Sequence, residues 1–294
     1  MHSVFRTSLP VVLVHGGATR FKNESHAAVL EAVSKAAKQG MSVLESGGSS
    51  LDAVESAVWL LEETTLFTAG RGGCKNSEGV VELDAIVMDG HRLQSGAVMA
   101  VTDVIHPVSL ARYVMDRTPV AQVAGKNATR LYEKMISEGY RKERASGESG
   151  LPVIADPCDT VGCVAVDEHG RIAVASSTSG WPGMLPGRVG DTAVIGSGVY
   201  ANEVAGVACT GKGEQILRIC MARTAVSYIE QGMVPSKAAE KAVRVLREKT
   251  AGQAGLIILD AEGEVGLDYD TPHMPVALCL DGPEIVIQSM KPKL

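Results

Sequence analysis

Two stretches in the second half of the chain share one design, and that design commits the chain to antiparallel sheet. Val164-Ala-Val-Asp-Glu-His-Gly-Arg-Ile-Ala-Val-Ala175 and Ile257-Ile-Leu-Asp-Ala-Glu-Gly-Glu-Val-Gly-Leu-Asp268 each set Asp-x-x-Gly between two apolar runs. Asp favours the start of a tight turn and Gly supplies the positive φ that closes it, so each stretch folds back on itself as a hairpin. We read this as recurring turn chemistry rather than a duplicated domain. Around the hairpins the apolar spacing switches to the helical period. Ser25 to Ser46 predicts a helix, with Ala28, Leu30, Val33, Ala37 and Met41 recurring at helical spacing and Gly47-Gly48 ending it. Ser49-Ser-Leu-Asp52 has the form of a capping box opening a second helix, with Leu51, Val54, Val58 and Leu61 as its apolar face. Further helices are predicted over 107–115, 121–138, 213–231 and 236–250, and strands over 79–88 and 96–101. Antiparallel strands with helices segregated to the outside fit a layered α+β sandwich.

Composition narrows the function class. At 294 residues and 45% hydrophobic content the chain can bury a large core as one compact unit. Its net charge of −6, with Lys and Arg scattered, argues against nucleic acid as a partner. The basic run Arg141-Lys-Glu-Arg144 reads as a solvated helix end. No apolar run approaches the roughly 20 residues of a membrane span, and Val11-Val-Leu-Val14 is too short for a signal-peptide core. Six cysteines at 74, 158, 163, 209, 220 and 279 form no C-x-x-C pair, which fits reduced, mostly buried thiols and a cytoplasmic setting. The histidines, among them His15, His91, His106, His169 and His273, show no metal-ligand spacing.

Asp159-Thr-Val-Gly-Cys163 stands where a turn-rich linker, residues 145–157, meets the strand of the first hairpin. A threonine at such a junction is usually a β-branched residue in its preferred place. If the 159–160 bond were cut, Thr160 would instead carry its own base, because an α-amine with a pKa of roughly 8 can take the proton of the adjacent hydroxyl. Downstream come Ser176-Ser-Thr-Ser-Gly180, Pro186-Gly-Arg-Val-Gly-Asp191 and Cys209-Thr-Gly-Lys-Gly-Glu214. Arg188 offers a planar fork for a carboxylate and Asp191 an acceptor for an ammonium, the two groups at the α-carbon of an amino acid. Thr210-Gly-Lys-Gly213 has too few residues for a phosphate-binding loop.

In this order and spacing the segments resemble the plant-type asparaginase and isoaspartyl peptidase family, whose glycosylasparaginase relatives share the same core. The resemblance extends to Val11-Val-Leu-Val-His-Gly-Gly-Ala18, Gly47-Gly-Ser-Ser-Leu-Asp-Ala-Val-Glu55, Leu66-Phe-Thr-Ala-Gly70 and Val81-Glu-Leu-Asp-Ala-Ile-Val-Met-Asp-Gly90. It implies the four-layer αββα fold of N-terminal nucleophile hydrolases. It also implies self-cleavage between Asp159 and Thr160 into pieces 1–159 and 160–294, and a homodimer of processed protomers, (αβ)2. Thr160 would then attack the side-chain amide of L-asparagine or the β-peptide bond of an isoaspartyl dipeptide, without a cofactor in the chemistry. By the same resemblance Thr178 supplies a second hydroxyl and Thr210 with Gly211 forms the oxyanion hole. Arg188, Val189, Gly190, Asp191, Thr210, Gly211, Lys212 and Gly213 bind the substrate. A loop with carbonyls at Leu61, Glu62, Thr64, Phe67, Ala69 and Arg71 holds a structural sodium, against the competing reading of a plain helix end followed by a turn.

The chain departs from the family pattern at three places. Thr68 stands where the family often has Asn near the nucleophile. Asp159 resembles the residue before the nucleophile in glycosylasparaginases, with Cys158 in place of their His, and Ser179 leans the same way. Three readings therefore stay open: a cytoplasmic isoaspartyl peptidase with asparaginase activity, a glycosylasparaginase-like amidase, and an uncut, non-catalytic homologue.

Overall fold

The computed structural model describes residues 9–140, 160–280 and, for the backbone, 285–289; the linker at 145–157, the basic run at 141–144 and Asp159 lie outside them. Strands β1 (Val11–His15), β2 (Leu83–Asp89), β3 (Gln94–Val101), β4 (Gln122–Ala124), β5 (Val161–Val166) and β6 (Ile172–Thr178) join β11 (Val276–Leu280) and β12 (Ile285–Ser289) in an eight-stranded sheet. Its order is β12-β11-β1-β5-β6-β2-β3-β4, antiparallel except where β4 runs alongside β3. A second, antiparallel sheet has the order β10-β9-β8-β7, from β7 (Val199–Ala201), β8 (Ala205–Gly211), β9 (Ala254–Asp260) and β10 (Val265–Tyr269).

Three cores stack these sheets between helices. Helices α1 (His26–Glu45), α2 (Ser50–Glu62), α3 (Pro107–Arg117) and α4 (Lys126–Ser137) cover the outer face of the large sheet, where Val12, Val14, Cys163 and Ala175 point. The opposite face carries Val11, Leu13, Val164 and Val174, which meet Ala208 and Ile257 of the second sheet. Helices α6 (Met221–Glu230) and α7 (Pro235–Thr250) pack on the far side, against Val207, Cys209 and Ile258. This is the αββα sandwich, and it explains why the central strands read as continuous apolar runs: both faces are buried.

The local chemistry read from the sequence is present. Asp167 Oδ1 accepts from the amides of His169 (2.9 Å) and Arg171 (3.0 Å), and Gly170 donates to the Asp167 carbonyl at φ +73. Asp260 and Gly263 repeat that turn between β9 and β10. Ser49 and Asp52 form a reciprocal capping box at the start of α2.

Three elements differ from expectation. The strand expected from Gly79 begins at Leu83, because Asn76 Oδ1 gathers the amides of Glu78 and Val80 into a turn. The helix expected over 121–138 starts at Lys126; Gln122–Ala124 instead joins the edge of the large sheet, and Gly125 (φ +61) separates the two. The helix expected over 213–231 breaks into α5 (Gly213–Ile219) and α6 at Cys220, which is left-handed (φ +47) and exposed rather than inside.

Candidate active site

Side-chain alternation decides which residues meet between the sheets. Val164 and Val166 of β5 face the inter-sheet core, so Thr160 and Gly162 face it too. By the same parity Thr178 follows Ile172 and Val174 on β6, Thr210 follows Ala208 on β8, and Asp84 precedes Ile86 and Met88 on β2. Register places Val161 opposite Ser177 and Asp84 opposite Thr178. The expected nucleophile, its neighbouring hydroxyl and a buried carboxylate therefore gather at one end of the sandwich.

A tight cleft there is lined by Thr160, Thr178, Gly180, Trp181, Arg188, Asp191, Thr192 and Gly211. Its volume is about 10 Å³, room for roughly one water. A larger cavity, about 510 Å³, lies at the far end of β5 beside Asp167 and His169 and contains none of these groups.

Arg188 is held in a cradle. Its Nε and Nη2 lie 2.9 and 2.8 Å from Glu214 Oε1, and its guanidinium stacks 4.3 Å from the Trp181 ring centroid. The cradle requires glycine: a Cβ on Gly213 would sit 2.6 Å from Asp191 Oδ1 and 2.9 Å from Arg188 Nη2. Asp191 is 5% exposed, and its Oδ2 has no hydrogen-bond partner among the described residues. Burial pushes its carboxyl up to about 7, opposed by the nearby Arg188 charge. A buried carboxylate with a free oxygen beside an arginine fork has the charges that a paired ammonium and carboxylate would need.

Thr178 Oγ1 accepts from the Gly180 amide at 2.9 Å. Thr210 is fully buried; its Oγ1 accepts from the Ala18 amide at 3.0 Å, which leaves the hydroxyl proton free to be donated. Gly211 lines the cleft at φ +137. Val189 is half-buried and Gly190 buried, both within the clamp loop, whereas Lys212 is exposed, sits at the N-cap of α5 and does not line the cleft. Thr68 is buried, and its carbonyl accepts from the Ser179 amide at 2.6 Å, so the loop bearing it abuts the end of β6.

The sequence did not single out His15, Glu82 or Asp84. His15 is fully buried opposite Gly162, where a Cβ would lie 2.3 Å from its Nε2. Its Nδ1 accepts from the Gly17 amide at 3.3 Å, and burial drives its pKa down to about 3, so the ring is neutral; its Nε2 has no hydrogen-bond partner among the described residues. The signal available for Glu82 and Asp84 was two carboxylates alternating with apolar residues where a largely apolar strand begins.

Among the described residues no cluster of His, Cys, Asp and Glu could hold a metal ion. A hard cation would instead need backbone oxygens. In the Leu61–Arg71 loop a Cβ on Gly72 would lie 1.9 Å from the Phe67 carbonyl oxygen and 3.4 Å from that of Thr64, so these carbonyls converge on the space glycine leaves. The Leu61 and Ala69 carbonyls already accept from Thr64 and Gly72, and the Arg71 side chain pairs with Glu63 at 3.2 Å.

Residues 8–151 and 140–284 match the family described as asparaginase. An isoaspartyl peptidase/L-asparaginase of Xenopus laevis is 39% identical over 287 residues, covering 92% of this chain and 93% of the relative. A Homo sapiens protein of the same name is 36% identical over 291 residues (93% and 94%), and an isoaspartyl peptidase of Salmonella typhimurium is 38% identical over 293 (90% and 93%). The layering, the cleft between the sheets and these matches along almost the full length agree: the chain belongs to the asparaginase family and has the fold of an N-terminal nucleophile hydrolase.

Proposed function

We propose that the protein is a threonine-nucleophile amidohydrolase that cuts isoaspartyl dipeptides and L-asparagine after cleaving itself between Asp159 and Thr160. The observation that carries this reading is the pairing of the Arg188 fork with the free oxygen of Asp191 in one cleft with Thr160. In self-cleavage the Thr160 hydroxyl attacks the Asp159 carbonyl, the peptide becomes an ester, and water hydrolyses it. The freed α-amine of Thr160 then serves as base toward its own Oγ1, and protonates the leaving amine. Arg188 takes the substrate α-carboxylate and Asp191 its α-ammonium, which aims the side-chain amide at Thr160. Thr210 and Gly211 donate to the developing oxyanion, where such donors accelerate acyl transfer most. Thr178 steadies the nucleophile. The resulting aspartyl ester is hydrolysed to L-aspartate.

Carbonyls of Glu62, Thr64 and Phe67 are the oxygens best suited to a structural sodium, which would stiffen the loop under Ser179 and supply no step of the reaction. A homodimer of processed protomers and a cytoplasmic setting fit the same reading. In support of the latter, Cys74, Cys163, Cys209 and Cys279 are buried free thiols, with Cys220 exposed.

The test is a comparison of substrates on processed protein. All candidates present the same aspartyl moiety to Arg188 and Asp191 and differ only in leaving group. The half-buried indole of Trp181 at the rim narrows the entrance against a bulky sugar amine. We expect a higher kcat/KM for isoaspartyl dipeptides than for N-acetylglucosaminyl-asparagine. The reverse ranking would assign a glycosylasparaginase-like amidase.

A further inference from the structure

The clamp loop that carries Arg188 and Asp191 is exposed over Leu185, Pro186 and Gly187, yet it must present two charges at a fixed separation. What fixes it lies just before and at the start of β2. Both oxygens of Glu82 accept from the Gly187 amide, at 3.0 and 2.9 Å, and Oε2 also accepts from Asn76 Nδ2 at 2.9 Å. Two residues on, at the second position of β2, Asp84 Oδ2 accepts from the Gly190 amide at 3.3 Å. Its Oδ1 accepts at 2.8 Å from Ala100, a non-glycine residue at φ +48 where the pairing of β2 with β3 slips register. The two carboxylates thus grip the loop on either side of Arg188.

Resting on the function proposed above, we infer that Glu82 and Asp84 form a carboxylate bracket that positions the Gly187–Gly190 span. Both are positioning residues for the α-carboxylate and α-ammonium of the substrate. The burial of Asp84 supports this. It is 5% exposed, flanked by the buried Leu83 and Ala85, and burial pushes its carboxyl up to about 6. An apolar residue would fill that place at less cost, so the carboxylate is retained for the amides it binds. Held at two points, the backbone stays in place when the Arg188 side chain leaves Glu214 for a substrate carboxylate. Asp191, one residue beyond the second grip, keeps its place in the cleft lining with one oxygen unpartnered.

The experiment is steady-state kinetics of processed protein on L-asparagine and an isoaspartyl dipeptide. We expect Asp84→Asn and Glu82→Ala each to raise KM about ten-fold, with kcat within about two-fold and cleavage at 159–160 complete. Glu82→Gln keeps an oxygen for the Gly187 amide and should remain near wild type. Because the bracket acts through the clamp, Asp84→Asn should add less than about two-fold to KM in an Arg188→Ala background. A fall in kcat at unchanged KM, or full additivity with Arg188→Ala, overturns the proposal. Should Asp84→Asn fail to fold, the contrast between Glu82→Ala and Glu82→Gln decides alone. If wild type hydrolyses neither substrate, the functional reading falls, and the bracket is read from calorimetric binding of L-aspartate. A ten-fold weaker Kd in Glu82→Ala then upholds it, an unchanged Kd overturns it, and no binding by wild type overturns both.

Discussion

Asp191 joins fold and chemistry at the scale of one residue. Its carboxyl is raised to about 7 because it is buried, with Glu214 and Asp84 nearby adding to the shift and Arg188 opposing it. Only the ionised form binds an ammonium. On acidification a proton competes for the same oxygen, so the Kd of L-aspartate should weaken as pH falls below about 7, approaching ten-fold per unit. The sign for stability is the reverse of that for a salt-bridged acid. A raised carboxyl stabilises the fold while protonated and loses that contribution as pH rises through about 7, so ligand should raise Tm more at pH 8 than at pH 6. Calorimetric titration across pH 5.5 to 8.5 checks this, and a flat Kd would remove Asp191 from ammonium recognition. Arg188, Asp191, Thr160 and Thr178 were legible in the sequence because their motifs are compact. Glu82 and Asp84 were not, since the Gly187 and Gly190 amides they hold are more than a hundred positions away. His15 was missed for a related reason: its role depends on Gly162 lying across the sheet.

At the scale of elements, the signals that survived folding were local. Asp-x-x-Gly turns, the Ser49–Asp52 box and the helical spacing of α1 and α2 need only near neighbours, and all three are present. What was misread needed distant partners. Gln122–Ala124 has helix-compatible residues but is claimed by the edge of β3, and Cys220 breaks a periodic stretch where Ala222 and Arg223 donate to the carbonyls of Ser197 and Gly196. The box at the start of α2 allows a direct test. Ser49 Oγ accepts from the Asp52 amide at 3.2 Å, and Asp52 Oδ2 accepts in return from Ser49. Ser49→Ala should cost about 1 kcal/mol, lowering Tm by about 2 °C without changing kcat. Scanning calorimetry with a parallel activity assay reads both. An unchanged Tm would make the box ornamental, and a changed kcat would tie the N-terminus of α2 to the cleft.

At the scale of the molecule, four layers place Thr160 at the end of a central strand, between two sheets, with Arg188 and Asp191 of a neighbouring loop and Gly211 of the second sheet lining the same cleft. That arrangement has one requirement that no other part of the site can replace. Thr160 is 7% exposed, and its nitrogen serves as a base only once it is no longer a peptide nitrogen. The central claim is therefore tested by intact-mass measurement on freshly purified protein, with hydrolysis of L-asparagine assayed on the same sample. The account predicts two fragments, 1–159 and 160–294, accompanying activity, and a single inert chain for Thr160→Ala. A wild-type chain that stays whole and still hydrolyses L-asparagine would contradict it.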